Sequence, residues 1–559
     1  MRKRLSVSLL ILLALTVFSN NGAEAGAVPL LVKIEKGQPH LERVLSALNL
    51  TVLQEMDSFY LALVEREEAS LLRRQGFRFH FLTTFNPNRF YYLARIINVE
   101  EYRQLSSFAR LIRLEGQNCL LISEEKADGK FPLTVRWKPL SRQGRPVIFP
   151  QPVSGAIKTL KIEEAFQQIA SEISTDNLRA MVTSLQNFGT RYVYTPNCQL
   201  AADYIFNYFS GLGLQPRFHE FTYSGAQLKN VVVDIPGQTY PEQVVIVCAH
   251  YDSISDARWS QAPGADDNAS GTAAVMEAAR VLKNRPHDFT IRLVAFTAEE
   301  VGLVGSDYYA STGEASRDKV MAVINLDMIA YADALPEDLD IITNETSGWL
   351  AEHAVDSTIT YGLIPARKFV APSFVYSDHA SFWDRGISAV CAIEDQDVNN
   401  PYYHQTTDTV DTLNFDFYLG ATRGTVVCAS EVAQLLRPGR LSTPPGITLS
   451  LTTYASIFNY IKKVKLKWGP VSGAAGYNVY RSHFSHTGYE KLNNQPLSKT
   501  EFDDLLLPTE LPFYYVVTAV DALGQESNMS KELAVAPGVV YFQKAGLWFT
   551  GSSAAGRRN

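Results

Sequence analysis

The sequence predicts an α/β fold: a mostly parallel mixed sheet covered by helices on both faces, with an N-terminal α+β region and a C-terminal β-sandwich. Three observations predict it. Short β-branched runs alternate with helical patterns over residues 156–437, as strands buried on both faces do. Acidic and imidazole side chains stand just past the ends of those runs, where such sheets bind ligands. From residue 443 the pattern becomes apolar–polar alternation, the mark of half-buried antiparallel strands.

At 559 residues the chain holds several domains, because one core rarely grows past about 250–300 residues. With 46% hydrophobic and 19% charged residues it is globular rather than disordered. A net charge of −7 gives no basic surface for nucleic acid. Residues 1–25 read as a secretory signal peptide. Arg2–Arg4 is basic, Leu5–Phe18 is apolar but short for a span, and Ala23-Glu24-Ala25 is a cleavage pattern. The expected location is therefore secreted or periplasmic, with no membrane span. Five cysteines do not build a disulfide framework. Cys248 and Cys391 lie in apolar runs and are expected as buried hydrophobes, while pairing among Cys119, Cys198 and Cys428 stays open.

Residues 27–150 form the N-terminal region. Leu30–Ile34 and Phe59–Val64 read as strands, and His40–Leu48 and Glu67–Gly76 as helices. A strand at Tyr91–Ile97, a helix at Val99–Ala109 and a strand at Cys119–Ser123 repeat the order, which points to two small units or one duplicated unit. Nothing catalytic stands here, so a propeptide and a passive accessory domain weigh equally. Arg142–Gly155, rich in Pro and Gly, reads as a linker.

In residues 156–437 the strand readings are Val231–Val233, Val244–Ala249, Ile291–Thr297, Val323–Leu326 and Ile387–Ile393. Helices are read at Gln199–Leu212, stopped by Gly213, and at Gly271–Lys283. In residues 443–537 strands are read at Val464–Trp468, Tyr477–Arg481 and Tyr514–Ala519, with Trp468 and Tyr480 filling the core and a turn at Asp521–Gly524. WGPV, GYNVYRS and YYVVTAVDALGQES resemble a fibronectin type III module, which could contact a surface or a protein partner. The tail, 538–559, has no assigned role.

The chemistry gathers at strand ends. His250 and Asp252 follow one run, and Asp266 and Asp267 lie in the small-residue loop PGADDNASG. Glu299–Glu300 follow a second run and Asp327 ends a third, while His404 stands in YYHQTTDT. Each alone has a bland reading: a hydrogen-bonded His, a solvated Glu pair, a capping Asp. Together, carboxylates and imidazoles without thiolates suit catalytic zinc. A zinc pair about 3.5–4 Å apart needs one bridging carboxylate, with an imidazole and a further carboxylate on each metal. His250, His404, Asp267, Glu300 and Asp327 supply that set, leaving Glu299 free for proton transfer. Asp252, two residues beyond His250 on an extended segment, can orient its imidazole.

The order HYDS, PGADDNASGTAA, FTAEEVGLVGS, NLDM, SDHASF and YYHQTTDT resembles the secreted bacterial aminopeptidases of metallopeptidase family 28, of leucyl aminopeptidase type, over about residues 160–435. The resemblance implies a zinc exopeptidase fold and two zinc ions. It places one zinc on His250, Asp267 and Asp327 and the other on Asp267, Glu300 and His404, with Glu299 as general acid/base. It implies hydrolysis of the N-terminal bond of peptides with a free N-terminus by a zinc-activated water. Phe374 departs from the pattern, standing where some members carry an oxyanion-supporting tyrosine; Tyr376 follows two residues later. Asp378 and His379 read as scaffold, and Tyr402 and Tyr403 as candidate pocket walls.

Two other functions compete. A carboxypeptidase or dipeptidase on the same scaffold would need an arginine for the terminal carboxylate, and Arg385 is the candidate. An inactive secreted binding protein would have lost a ligand, and none is lost. Glutaminyl cyclase relatives keep one working metal, which the complete ligand set opposes.

Overall fold

The computed structural model describes residues 28–38, 41–48, 50–127, 130–140, 163–316, 319–395, 399–437, 439–455, 460–506 and 512–535. The expected signal segment, the linker at Arg142–Gly155 and the tail at 538–559 lie outside them. The chain divides into two compact units, Met1–Phe149 and Pro150–Asn559.

In the first unit the suspected duplication is visible as topology. Strands β1 (Leu30–Glu35), β2 (Thr51–Glu55), β3 (Phe59–Val64) and β4 (Phe79–Thr84) pair in the order β2-β3-β1-β4. Strands β5 (Phe90–Arg95), β6 (Arg110–Glu115), β7 (Asn118–Ser123) and β8 (Arg136–Pro139) pair as β6-β7-β5-β8, the same order four strands on. Helices Leu41–Ala47 and Arg66–Arg74 complete the first half as β-α-β-β-α-β. Helix Val99–Ser106 matches the first of them in the second half, where Phe131, between β7 and β8, packs into the core instead. The sequence reading missed β2, β4, β6 and β8. The edge strands β4 and β6 bury little, so neither face shows a clean period.

The second unit holds an eight-stranded sheet. Its strands are β9 (Arg217–Tyr223), β10 (Ala226–Ile235), β11 (Tyr240–His250), β12 (Phe289–Phe296), β13 (Val320–Leu326), β14 (Leu339–Thr343), β15 (Ala366–Val370) and β16 (Ala389–Ile393). Their order is β15-β14-β16-β13-β11-β12-β10-β9. The centre, β12-β11-β13-β16, is parallel, whereas β10 and β14 join it antiparallel. The sheet is therefore mixed around a parallel heart. From β11 the chain crosses to β12 on one side and then to β13 on the other. That order reversal opens a crevice at the carboxyl ends of these strands.

Helix Gly271–Leu282 is buried on nearly every side, which explains its run of Gly, Ala and Val. It shares one apolar core with helices Thr175–Gln186, Pro196–Gly211 and Phe415–Val432 and the inner strands. All five cysteines are buried and free, so no disulfide joins Cys119, Cys198 or Cys428.

Beyond residue 443, β17 (Thr448–Ala455), β18 (Tyr460–Lys467) and β21 (Glu501–Leu506) form one antiparallel sheet. A second contains β19 (Gly476–Ser482), β20 (Glu490–Lys491), β22 (Phe513–Val520) and β23 (Leu533–Val535). Val464, Leu466 and Trp468 meet Tyr477, Val479, Phe513 and Tyr515 in one cluster. Tyr480 is a correction. Strand alternation sends Tyr477 and Val479 inward, and Tyr480 turns out to bond Glu526 at 2.8 Å. The same cluster takes in Tyr240 and Phe289, at the amino ends of β11 and β12. These sheets thus pack against the end of the large sheet opposite the crevice.

Candidate metal centre

All the proposed ligands converge at the carboxyl ends of the parallel strands. His250 is the last residue of β11, and Asp327 directly follows β13. Glu299 and Glu300 come three and four residues after β12, and Asp267 lies in the loop opening helix Gly271–Leu282. His404 comes from the loop between β16 and helix Phe415–Val432. The chain turns sharply at these places: Ala298, Met328 and His404 adopt positive φ of 60°, 54° and 57°. Left-handed non-glycine residues are uncommon and gather where surrounding structure holds side chains in set positions.

Asp267 stands at the middle. Its Oδ1 lies 3.3 Å from His250 Nε2, and its Oδ2 lies 3.2 Å from His404 Nε2. Asp327 Oδ1 is 3.3 Å from His250 Nε2, and Glu300 Oε2 is 2.9 Å from His404 Nε2. Glu299 Oε2 stands farther back, 4.0 Å from His250 Nε2. Donor atoms of His250, Asp267 and Glu300, and of His250, Glu299 and Asp327, lie within 4.8 Å of one another. Asp252 serves more than His250. Its carboxylate accepts the Glu299 and Glu300 amides at 3.2 and 3.3 Å and lies 3.6 Å from His250 Nδ1, which is nearer the Asp252 carbonyl at 3.2 Å.

The donor set fits divalent metal. Asp252, Asp267, Glu299, Glu300 and Asp327 bury five carboxyl groups around two imidazoles. Such a concentration of acid is costly without compensating cations. Burial pushes Glu299 well above the ordinary carboxyl range and Glu300 up to about 7, the latter also through Asp267. Burial also presses on Asp267, but hydrogen bonds to His250 and His404 hold it below the usual range. Both imidazoles are raised despite burial, through Glu299 and Asp327 at His250 and through Tyr403 and Glu300 at His404. Glu300 Oε1 is buried with no hydrogen-bond partner, an oxygen left for a cation. His250, Asp267, Glu300, Asp327 and His404 are the residues that could hold metal.

Several supporting residues escaped the sequence reading. Ser377 donates to Asp327 Oδ2 at 2.5 Å and is itself held by Asn325 at 2.7 Å. Asp408 accepts the amides of Asp266 and Asp267 at 2.9 and 3.0 Å. Asn400 joins Asp266 to Glu394 at 3.0 and 3.1 Å, and its Oδ1 caps the Tyr402 amide in the loop leading to His404. Only SDHAS, the TTD after His404 and the first residue of NLDM hinted at them; Asn400 carries no local signal.

The remaining expectations resolve as follows. His379 turns to the Phe374 carbonyl at 2.8 Å and packs edge-on against Trp383. Phe374 is buried beside Tyr376, ring centres 6.5 Å apart. Tyr403 stacks on His404 at 3.8 Å, and Tyr402 meets Tyr331 edge-on at 5.8 Å. Arg385 bonds Ser381 O at 2.7 Å and Asp307 Oδ1 at 2.9 Å, so its guanidinium is engaged within the fold.

A family model for peptidase family M28 matches residues 230–424, which contain every residue of this centre. Over 278 residues the chain is 32% identical to a probable leucine aminopeptidase of Trichophyton verrucosum, covering 47% of this chain and 72% of that protein. Over 190 residues it is 35% identical to a probable zinc metalloprotease of Leptosphaeria maculans, covering 30% of this chain and 44% of that one. LapB of Legionella pneumophila, a solved structure, shares the fold with a TM-score of 0.50 at 19% identity, over 62% of this chain and 99% of its own.

Proposed function

Because the chain belongs to peptidase family M28, we propose that it is an exported aminopeptidase that holds two zinc ions and releases the N-terminal residue of peptides. One observation carries this reading: the two oxygens of Asp267 face two different imidazoles at 3.3 and 3.2 Å. That is the placement a bridging carboxylate needs. His250 and Asp327 would hold one zinc with it, and Glu300 and His404 the other. When bound, zinc polarises the scissile carbonyl and makes water a nucleophile at neutral pH.

The chain's own groups do the rest. Glu299 takes a proton from the attacking water and hands it to the leaving amine. Asp252 holds Glu299 and Glu300 by their amides while facing His250, so one carboxylate aligns base and ligands together.

Zinc also accords with the Leptosphaeria maculans relative, a probable zinc metalloprotease. The name of the Trichophyton verrucosum relative makes leucine the first N-terminal residue to test. Export rests on the segment Arg2–Ala25, and no helix among the described residues is long and apolar enough to cross a membrane. The two C-terminal sheets, sharing one core, support a fibronectin type III-like module.

The test is direct. Purified protein with zinc should release the amine from leucyl-anilide, lose this activity to a chelator, and leave N-blocked peptides intact. Cleavage confined to N-blocked peptides would overturn the reading in favour of a carboxypeptidase. The engagement of Arg385 with Asp307 and Ser381 argues against that outcome.

A further inference from the structure

Arg191 is a fully buried cation that the chemistry above leaves unused. Its guanidinium spends its hydrogen bonds on main-chain carbonyls. Nε donates to Tyr251 O at 2.7 Å, Nη1 to Pro263 O at 2.6 Å and Leu185 O at 3.2 Å, and Nη2 to Gly264 O at 2.8 Å. Its amide donates to Ser253 Oγ at 3.2 Å. Tyr251 lies between His250 and Asp252, while Pro263 and Gly264 open the loop that carries Asp267. One planar group therefore ties the end of β11 to the ligand loop.

The loop is held from its other side by Asp408, which accepts the amides of Asp266 and Asp267. A guanidinium grips its carbonyls and a carboxyl group grips its amides. The packing is tight as well. Gly264 sits at φ +50°, where an added Cβ would fall 2.3 Å from Asp267 O and 3.0 Å from Arg191 Nη2. A rigid fork of five N–H donors can span two segments in this way; a lysine ammonium cannot.

We propose that Arg191 is a positioning residue for the metal centre, setting His250 against Asp267 and so shaping the site those two form with Asp327. It touches neither substrate nor metal. Glu300 and His404 come from segments the guanidinium does not bond, so the site they complete depends on it less. The inference rests on the two-zinc reading.

The experiment is a stepwise zinc titration against a competing chelator, on full-length wild type and Arg191→Lys, with the zinc-free melting temperature of each measured separately. The expected result is one binding step weakened about ten-fold or more, the size seen for outer-shell partners, with the other affected less. A lower melting temperature with both steps unchanged, or weakened alike, overturns the proposal. Should Arg191→Lys not fold, amide exchange on the wild type decides. Coupling is reciprocal, so zinc should slow exchange across residues 190–193, and no change there overturns the proposal. Wild type that takes up no zinc would instead bring down the metal reading itself.

Discussion

Ser377 Oγ donates to Asp327 Oδ2 at 2.5 Å, which leaves Asp327 Oδ1 to face His250 Nε2 at 3.3 Å. A hydroxyl from the loop after β15 thus decides which carboxylate oxygen enters the centre. Ser377→Ala removes that choice and strands a buried oxygen. Zinc affinity should fall about ten-fold or more while the fold persists. Wild-type affinity in this variant, read by chelator competition, would mean that the hydroxyl does not orient Asp327.

Glu299 stands 4.0 Å from His250 Nε2, behind Asp267 and Asp327. Its replacement should therefore spare the metals and remove proton transfer. Glu299→Ala should keep its zinc content and lose about 100- to 10,000-fold in kcat. Metal analysis and turnover on the same preparation check this, and zinc lost in parallel with activity would recast Glu299 as a ligand.

His287 links stability to pH. It is buried between the Arg285 carbonyl at 2.9 Å and Ser430 Oγ at 2.8 Å. The carbonyl only accepts, so Nδ1 carries the proton and Nε2 accepts from the serine. Burial lowers its pKa from 6.5 to about 4. Above pH 6.5 the group is neutral folded or unfolded and costs nothing. Between pH 6.5 and about 4 the unfolded chain gains a proton that the folded chain refuses, so stability falls with pH. That gap is worth about 3 kcal/mol. Melting temperatures from pH 7 to 4 should drop more steeply for wild type than for His287→Gln; parallel curves would refute the assignment.

Helix Gly271–Leu282 reaches the sheet only because its first residue has no side chain. A Cβ on Gly271 would lie 2.3 Å from Leu326 O and 3.0 Å from Ala249 Cβ. Gly271→Ala should cost about 1–3 kcal/mol in denaturant unfolding, the usual penalty of overpacking. Gly348→Ala, helical in backbone and with nothing within 4 Å of the added atom, is the control and should hold the midpoint or raise it.

The central strands were legible because burial on both faces demands continuous apolar runs, such as Val244–Ala249 within β11. The edge strands β9 and β15 were not: they bury little, so no continuous apolar run marks them. The candidate ligands His250, Asp267, Glu300 and Asp327 were legible because each sits within four residues of a strand end or in a short acidic loop; His404, well past the end of β16, stood out only through YYHQTTDT. Tyr480 was misjudged because an aromatic residue in a strand does not reveal which face is the core; register does.

The sequence by itself determined the fold class, the run of strand ends and the identity of the acids and imidazoles, since these follow from local pattern and side-chain chemistry. Tertiary structure alone decided which atoms meet. Asp408 and Arg191 act on loops 50 or more residues away through a hydrogen-bonded main chain, and Ser377 acts on the Asp327 carboxylate 50 residues away. Backbone carbonyls and amides are the same in every residue, so a partner that binds them leaves no mark in the sequence of the segment it holds.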